Sequence, residues 1–506
     1  MRAMDAAFLA MERPAEPRHL GSVTVFAPGP EGPLTYDVVR AVLEERLAAV
    51  PSARRVVVEV PMGLGRPSWR DEAGFDLEFH LRHTAVPPSA GGRALEELVA
   101  RLHAQPLDRT RPLWELWLID GLPDGRVALY AKTHMAALDD VTGAAVMTAL
   151  LTEAPALPRS APAAGSTAGR VDGTLERVLD ALPDQLRHAA GFPGRLVGRA
   201  VHSLGGQLGV IGETVVETIH RTPGLDPLAR VLPLRSGGHS AVADVDHPTA
   251  RAPRVSWNRA VTPHRRFATT RLDLDAIVAV KRAAGTMVND VVVAVCAGAL
   301  RHWLSSHDEL PTSPLLAMVP MLVSGDGRDD AHIAGLVVPL PTNVADPADR
   351  LARTSVALQL AKQRRAAVPA SVMQDVSMFA PPALAALAGR LVGALPHRAV
   401  AGPMVNLAIT NVPGPREQLR LAGRPLEASY PVLTINELSP LHIGVQSNHG
   451  AIGVGAVSCR DAIDDLWSMI DRMPEELATL VAAVGASTTS QPDATRAGSS
   501  RRRSRP

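Results

Sequence analysis

The stretch YAKTHMAALDDVTG, residues 130–143, gathers side chains with the capacity to move protons. His134 can take up and return a proton near neutral pH, which suits it to general base work. Its neighbour Met135 cannot, because a thioether sulfur is a weak acceptor with no useful proton affinity in that range. Asp139 and Asp140 follow, just before VTGAAVMTALL, where a carboxylate can cap the first turn of a helix and face its positive end. Taken alone, these residues need no catalytic explanation. A strand, a turn, a capped helix and one hydrogen-bonded histidine account for them.

The element that must position His134 is the preceding segment RVALYAKT, which reads as a buried strand. Strand alternation places Tyr130, Lys132 and His134 on one face and Leu129, Ala131, Thr133 and Met135 on the other. Extended geometry carried to the loop would therefore aim His134 and Met135 in opposite directions. Upstream, YDVVRAVLEERLAAV puts Val38, Val39, Val42, Leu43 and Leu47 on one helical face. Downstream, Asn289 and Asp290 open an apolar helix in which Val291, Val295 and Ala299 share one side, with Val292, Cys296 and Leu300 adjoining it; an N-cap is the simplest role for the pair. In NLAITNVPGP, Pro413, Gly414 and Pro415 fix a turn after a strand.

The chain has 506 residues, enough for two domains or one large duplicated architecture. At 46% hydrophobic and 20% charged it can bury both cores in the manner of a soluble protein. The strongly apolar run VVVAVCAGAL falls short of the roughly 20 residues a membrane span needs. The N-terminus lacks the zoning of a secretory signal, so the expectation is a cytoplasmic protein. Cys296 and Cys459 lie in apolar settings, which disfavours a disulfide framework or a cysteine metal site. A net charge of +1 and 3% aromatic residues give neither bulk attraction to nucleic acid nor a stacking platform for it.

The segment to residue 155 mixes helical and strand patterns and forms the first expected domain. Residues 156–250 begin in a Pro-, Ala-, Gly- and Ser-rich linker and continue into helical periodicity at Leu175, Val178, Leu179, Leu182 and Leu186. A glycine-broken amphipathic stretch around Arg195, Arg199 and His202 is read as packed on its own domain, with a lipid-touching surface helix as the other reading. Residues 251–485 form the second mixed domain, and 486–506 a disordered basic tail.

Several further blocks widen the reading of the loop. MDAAFLAMERPAEPRHLGSVTVF opens the chain, and PLDRTRPLWELWLIDGL, with Pro112, Leu113, Trp114 and Glu115, precedes the histidine strand. SWNRAVTPHRRFA, the block with Asn289 and Asp290, VVPLPTNVADPADRL, NLAITNVPGP with Asn411, and GVGAVSCRDAIDDLWSMIDRMPEEL follow in order. In these blocks the chain resembles the bacterial wax ester synthase/diacylglycerol acyltransferase family, within the coenzyme A-dependent acyltransferases that share an HHxxxDG loop. The resemblance spans nearly the whole chain.

The resemblance implies an α/β fold of two domains, chloramphenicol acetyltransferase-like, each with a mixed sheet and with a tunnel between them. Acyl-coenzyme A would enter as co-substrate from one side and a diacylglycerol or long-chain alcohol from the other, with no metal and no tightly held cofactor. His134 falls on the first motif histidine, Met135 on the second, Asp139 on the aspartate and Asp140 on the glycine. In the family the second histidine is understood to be the general base, the first is supporting, and the aspartate holds the loop. Losing a positioned base typically removes ~10² to 10⁴ in rate, so two functions stand side by side: a weakened or rerouted O-acyltransferase, and a non-catalytic acyl-coenzyme A or lipid binding protein on the same frame. A condensation domain of peptide assembly shares the loop, but the PLWE and NVPGP blocks argue against it. The resemblance also places Pro112, Leu113, Trp114, Glu115, Asn289, Asp290, Asn411, Pro413, Gly414 and Pro415 by the cleft or the cofactor tunnel. Trp114 reads as a core aromatic, with an acyl-channel wall as the other reading. His264, His442 and His449 are the other histidines able to stand in as base, each by default solvated or structurally bonded. Peripheral contact with the inner membrane or lipid inclusions, and the oligomeric state, are left open.

Overall fold

The computed structural model describes residues 1, 3–60, 66–87, 91–138, 252–323, 332–366, 403, 405–412, 414–415, 417–437 and 439–489. Asp139, Asp140, Pro413, the segment 156–250 with its expected linker and helices, and the tail beyond residue 489 lie outside the described residues.

The chain first forms α1 (Ala3–Met11), β1 (His19–Phe26), α2 (Tyr36–Arg46), a ribbon of β2 (Arg55–Val58) and β3 (Ser68–Asp71), α3 (Leu77–His80), β4 (Leu81–Ala85), α4 (Ala94–Ala104), β5 (Trp114–Asp120) and β6 (Val127–His134). α2 starts where the Thr35 hydroxyl accepts the Val38 N–H, and it turns Val39 and Leu43 inward as its periodicity predicts. β6 follows the expected alternation over its central residues. Leu129 packs with Leu116, Trp114 and Leu43 on the α2 side, whereas Tyr130 packs with Val23, Val99 and Ile119 on the opposite face.

From residue 252 come β7 (Arg265–Asp273), α5 (Leu274–Ala284), α6 (Val288–Ser306), β8 (Leu315–Val323), β9 (His332–Leu340), α7 (Pro347–Ala366), β10 (Leu407–Val412), β11 (Arg420–Leu421), β12 (Arg424–Val432), β13 (Leu441–Asn448), β14 (Ala451–Cys459), α8 (Leu466–Asp471) and α9 (Met473–Thr489). α5 is capped by the Asp273 carboxylate and stopped by Gly285 in the left-handed region. α6 is apolar on every side because it is buried on every side, from Val291 through Leu300. Among the described residues no single helix is long and apolar enough to cross a membrane.

Among the described residues two six-stranded sheets form, ordered β11-β12-β1-β6-β5-β4 and β7-β14-β13-β10-β8-β9. Both are mixed: β4 runs parallel to β5 in the first, and β10 runs parallel to β8 and β13 in the second. A division of the chain at 155 and 251 does not describe the sheets, since β11 and β12, residues 420–432, complete the N-terminal one. β12 pairs antiparallel with β1, from Gly21 opposite Val432 to Phe26 opposite Leu426. The physical reason is the free edge of β1, which would otherwise present unpaired backbone groups.

β12 also brings the two sheets together. Gly444, Gly453 and Gly455 of the C-terminal sheet face it, and a Cβ on Gly453 or Gly455 would overlap the carbonyl oxygen of Ser429 or Pro431. An apolar cluster spans the junction, joining Val23, Ile119 and Tyr130 of one sheet to Phe267, Val457 and Cys459 of the other.

Candidate active site

His134 is the last residue of β6, and Met135 opens a single 3-10 turn, Met135–Ala137. Strand alternation therefore stops one residue short of Met135, and the expected opposition of the two side chains does not carry to it. The turn is held from three sides. The His134 N–H donates to Leu113 O at 3.0 Å, the Met135 N–H to Arg18 O at 2.8 Å, and the Ala136 N–H to His134 Nδ1 at 3.0 Å.

That last bond fixes the imidazole. Nδ1 accepts a proton donor, so the ring proton sits on Nε2, 3.6 Å from Glu12 Oε1. The side chain of His134 is 1% exposed. Glu12 is gripped by Arg109, whose Nη2 lies 2.6 Å and whose Nε lies 3.0 Å from Glu12 Oε2. Burial would raise the Glu12 carboxyl, but His134, Arg109 and the Arg18 N–H overcome it and hold the group at about 2. The basic lone pair of His134 is thus committed to the turn it caps, and Met135 beside it offers none.

The PLWE block supports this strand end from behind. Leu113 packs with Leu9, Ala136 and Ala137. Trp114 is a core residue: it is buried, donates from Nε1 to Ala53 O at 2.8 Å and stacks on His80 at 4.5 Å. Glu115 pairs at 3.1 Å with the buried Lys132, whose Nζ also donates to Leu102 O and Gln105 O at the end of α4. Burial lowers the Lys132 ammonium pKa, and Glu115 opposes that shift. Pro112 is buried at the start of β5 and its carbonyl accepts the Trp114 N–H.

A second group of predicted residues meets at the N-terminus of α6. Asn411 Nδ2 donates to Asn289 Oδ1 at 3.3 Å. Asp290 is buried and caps the helix, accepting the Met287 N–H at 3.1 Å and the Ser355 hydroxyl at 2.9 Å. Gly414 donates its N–H to Ser447 Oγ at 2.9 Å, and a Cβ there would overlap the Ser447 carbonyl oxygen. Pro415 adjoins it, half-buried.

The remaining histidines separate clearly. His264 is exposed and lies 3.0 Å from Asp461 Oδ2. His449 is exposed in the β13–β14 turn at φ +34°. His442 is engaged at both nitrogens, Nδ1 at 2.9 Å from Thr434 O and Nε2 at 2.7 Å from Thr410 Oγ1, and burial pushes it down to about 4. His103, also buried, lies with Nδ1 2.8 Å from the Tyr130 hydroxyl and Nε2 3.2 Å from Leu433 O. Glu12, Arg109, Thr410 and Thr434 were not foreseen from sequence. Each has at least one partner on a different element, from Thr410 and His442 on neighbouring strands to Glu12 and Arg109, 97 positions apart, so no motif marks them.

Two family models match this chain. The wax ester synthase/diacylglycerol acyltransferase catalytic domain matches residues 1–292, and the WS/DGAT C-terminal domain matches residues 331–481. A putative diacylglycerol O-acyltransferase of Mycobacterium tuberculosis H37Rv is 33% identical over 488 residues, covering 95% of this chain and 90% of the relative. The O-acyltransferase WSD of Acinetobacter baylyi is 28% identical over 491 residues, 94% of this chain and 96% of its own. Among solved structures, the wax ester synthase/diacylglycerol acyltransferase of Marinobacter aquaeolei VT8 superposes with a TM-score of 0.65 at 28% identity, covering 95% of this chain and 98% of that one.

Proposed function

The chain belongs to the wax ester synthase/diacylglycerol acyltransferase family and has its two-domain fold, and from that premise we propose that it transfers an acyl group from acyl-coenzyme A to a lipid hydroxyl. The acceptor class is diacylglycerol or a long-chain alcohol, giving triacylglycerol or wax ester. The alcohol oxygen bonds to the thioester carbonyl carbon, the carbon–sulfur bond breaks, and the proton of the alcohol ends on the released thiol. Acyl-coenzyme A is a diffusible co-substrate in this reading, with no tightly held cofactor, at the cytoplasmic face of a membrane or a lipid inclusion. The observation that carries the proposal is the anchored loop. His134 is locked at the end of β6 by Ala136 and faces Glu12, with the PLWE block packed behind it. In this role His134 and Asp139 are supporting, and Met135 occupies the general-base position.

The same geometry favours a second reading, a non-catalytic acyl-coenzyme A or lipid binding protein. The Nδ1 lone pair of His134 is already taken by the Ala136 N–H and Met135 supplies no base. A labelled-acyl transfer assay on the purified chain, with a panel of alcohols and beside Met135→His and His134→Ala, separates the two. For the acyltransferase, native protein turns over and Met135→His raises kcat by ~10-fold or more, part of the ~10² to 10⁴ that a positioned base contributes. Native protein that binds acyl-coenzyme A without releasing coenzyme A against any alcohol establishes the binding reading.

A further inference from the structure

Strand alternation in β13 buries Leu441, Ile443 and Val445 in the C-terminal core and turns His442, Gly444 and Gln446 to the opposite face. That face meets the N-terminal sheet: a Cβ on Gly444 would stand 2.9 Å from Pro431 Cβ and 2.7 Å from Leu433 Cδ1. β10 behaves alike, with Leu407 and Ile409 in the core and Ala408 and Thr410 on the junction side. Because β10 and β13 run parallel with Ala408 opposite His442, the Thr410 hydroxyl comes within 2.7 Å of His442 Nε2. Both residues are half-buried.

The tautomer follows from the partners. Thr434 O can only accept, so Nδ1, 2.9 Å away, carries the ring proton and Nε2 presents its lone pair to the Thr410 O–H. A hydroxyl, an imidazole and an orienting acceptor in line are the arrangement that activates an oxygen by proton removal. The site is also tied to the loop at 135. The Thr434 hydroxyl donates to Pro17 O at 2.9 Å, and the next carbonyl, Arg18 O, accepts the Met135 N–H at 2.8 Å. Pairing of Gly21 with Val432 and of His19 with His134 puts the two segments on either side of the same end of β1. Two strand spacings amount to roughly 10 Å.

We propose that in this chain the acceptor alcohol loses its proton to His442 through the Thr410 hydroxyl, in place of a base at position 135. This rests on the acyltransferase reading above. As the alcohol oxygen bonds to the acyl carbon, its proton passes to Thr410 Oγ1, whose own proton moves to His442 Nε2. Thr434 O stabilises the imidazolium through Nδ1–H. When the carbon–sulfur bond breaks, the same proton returns by the relay to the departing sulfur, giving ester and free coenzyme A thiol. Burial leaves the imidazole unprotonated at neutral pH and makes it a weaker base than a solvated one, so the relay supports a modest rate.

The test is transfer from palmitoyl-coenzyme A to hexadecanol and to dioleoylglycerol by the full chain. The variants are His442→Gln, Thr410→Val, Thr410→Ser, Met135→His and the double variant His442→Gln/Met135→His. The expected result is native turnover, a fall of ~10²-fold or more in kcat for His442→Gln and Thr410→Val, and recovery of most of that loss in Thr410→Ser. Palmitoyl-coenzyme A affinity measured without acceptor stays unchanged in His442→Gln, which shows that the variant folds, and the double variant regains transfer. Native turnover with His442→Gln within twofold of it overturns the relay and leaves the acyltransferase reading intact. Silent native protein with an active Met135→His also overturns the relay. Silence of both native protein and Met135→His overturns the acyltransferase reading, and the relay with it.

Discussion

Glu12 lies in the N-terminal segment, 122 positions before the histidine it faces, and it decides what that histidine can do. Its carboxylate is held by Arg109 and the Arg18 N–H, so it presents a fixed acceptor to the Nε2 side of His134 while Ala136 occupies Nδ1. Because the folded pKa of about 2 lies below the ordinary value of 4.5, the group stabilises the fold fully above about pH 4.5, and that contribution is lost as pH falls through 2. The size is on the order of 2–3 kcal/mol. Urea denaturation at pH 7 and pH 3 should therefore show native protein losing more stability than Glu12→Gln between the two values. Equal losses would mean that the carboxylate is not held as described. At this scale the sequence displayed His134, Met135 and the PLWE residues, each inside a recognisable block. Glu12, Thr410 and Thr434 are invisible there, because their partners are joined to them only by folding.

β12 joins the halves of the molecule. It buries side chains on both faces: a register shift opposite Val25 and Phe26 sends Leu426 into the cluster with Phe26, while Ala428 and Val432 join the junction cluster. That it lies beside β1, and presses its backbone on the glycines of β13 and β14, follows only from the assembled sheets. Gly455 meets the Pro431 carbonyl and the Phe267 ring, so Gly455→Ala should destabilise by about 1–3 kcal/mol through overpacking. Gly485 in α9 has open space around its would-be Cβ, and Gly485→Ala should be neutral or stabilising by up to about 1 kcal/mol. Equal unfolding midpoints in urea for the two variants would sink the account of a close-packed seam.

For the whole molecule, the strand exchange means that residues 1–155 lack two strands of their own sheet and seven of the sixteen buried residues of the apolar cluster at the junction. Expressed alone, that fragment should give no cooperative thermal transition by circular dichroism, and co-expression with residues 251–506 should restore one. A sharp transition in the isolated fragment would show that β12 is dispensable. The sequence by itself determined the family, the mixed α/β class, the buried face of α2 and the absence of a base at Met135. These rest on side-chain type and on periods of 2 and 3.6, which are properties of neighbouring residues. Tertiary structure alone decided that His134 spends its lone pair on its own turn and that His442 meets Thr410 at the junction of the sheets. The reason is that strand pairing and burial are settled between separate segments of the chain, by which exposed edge and which apolar face must be covered.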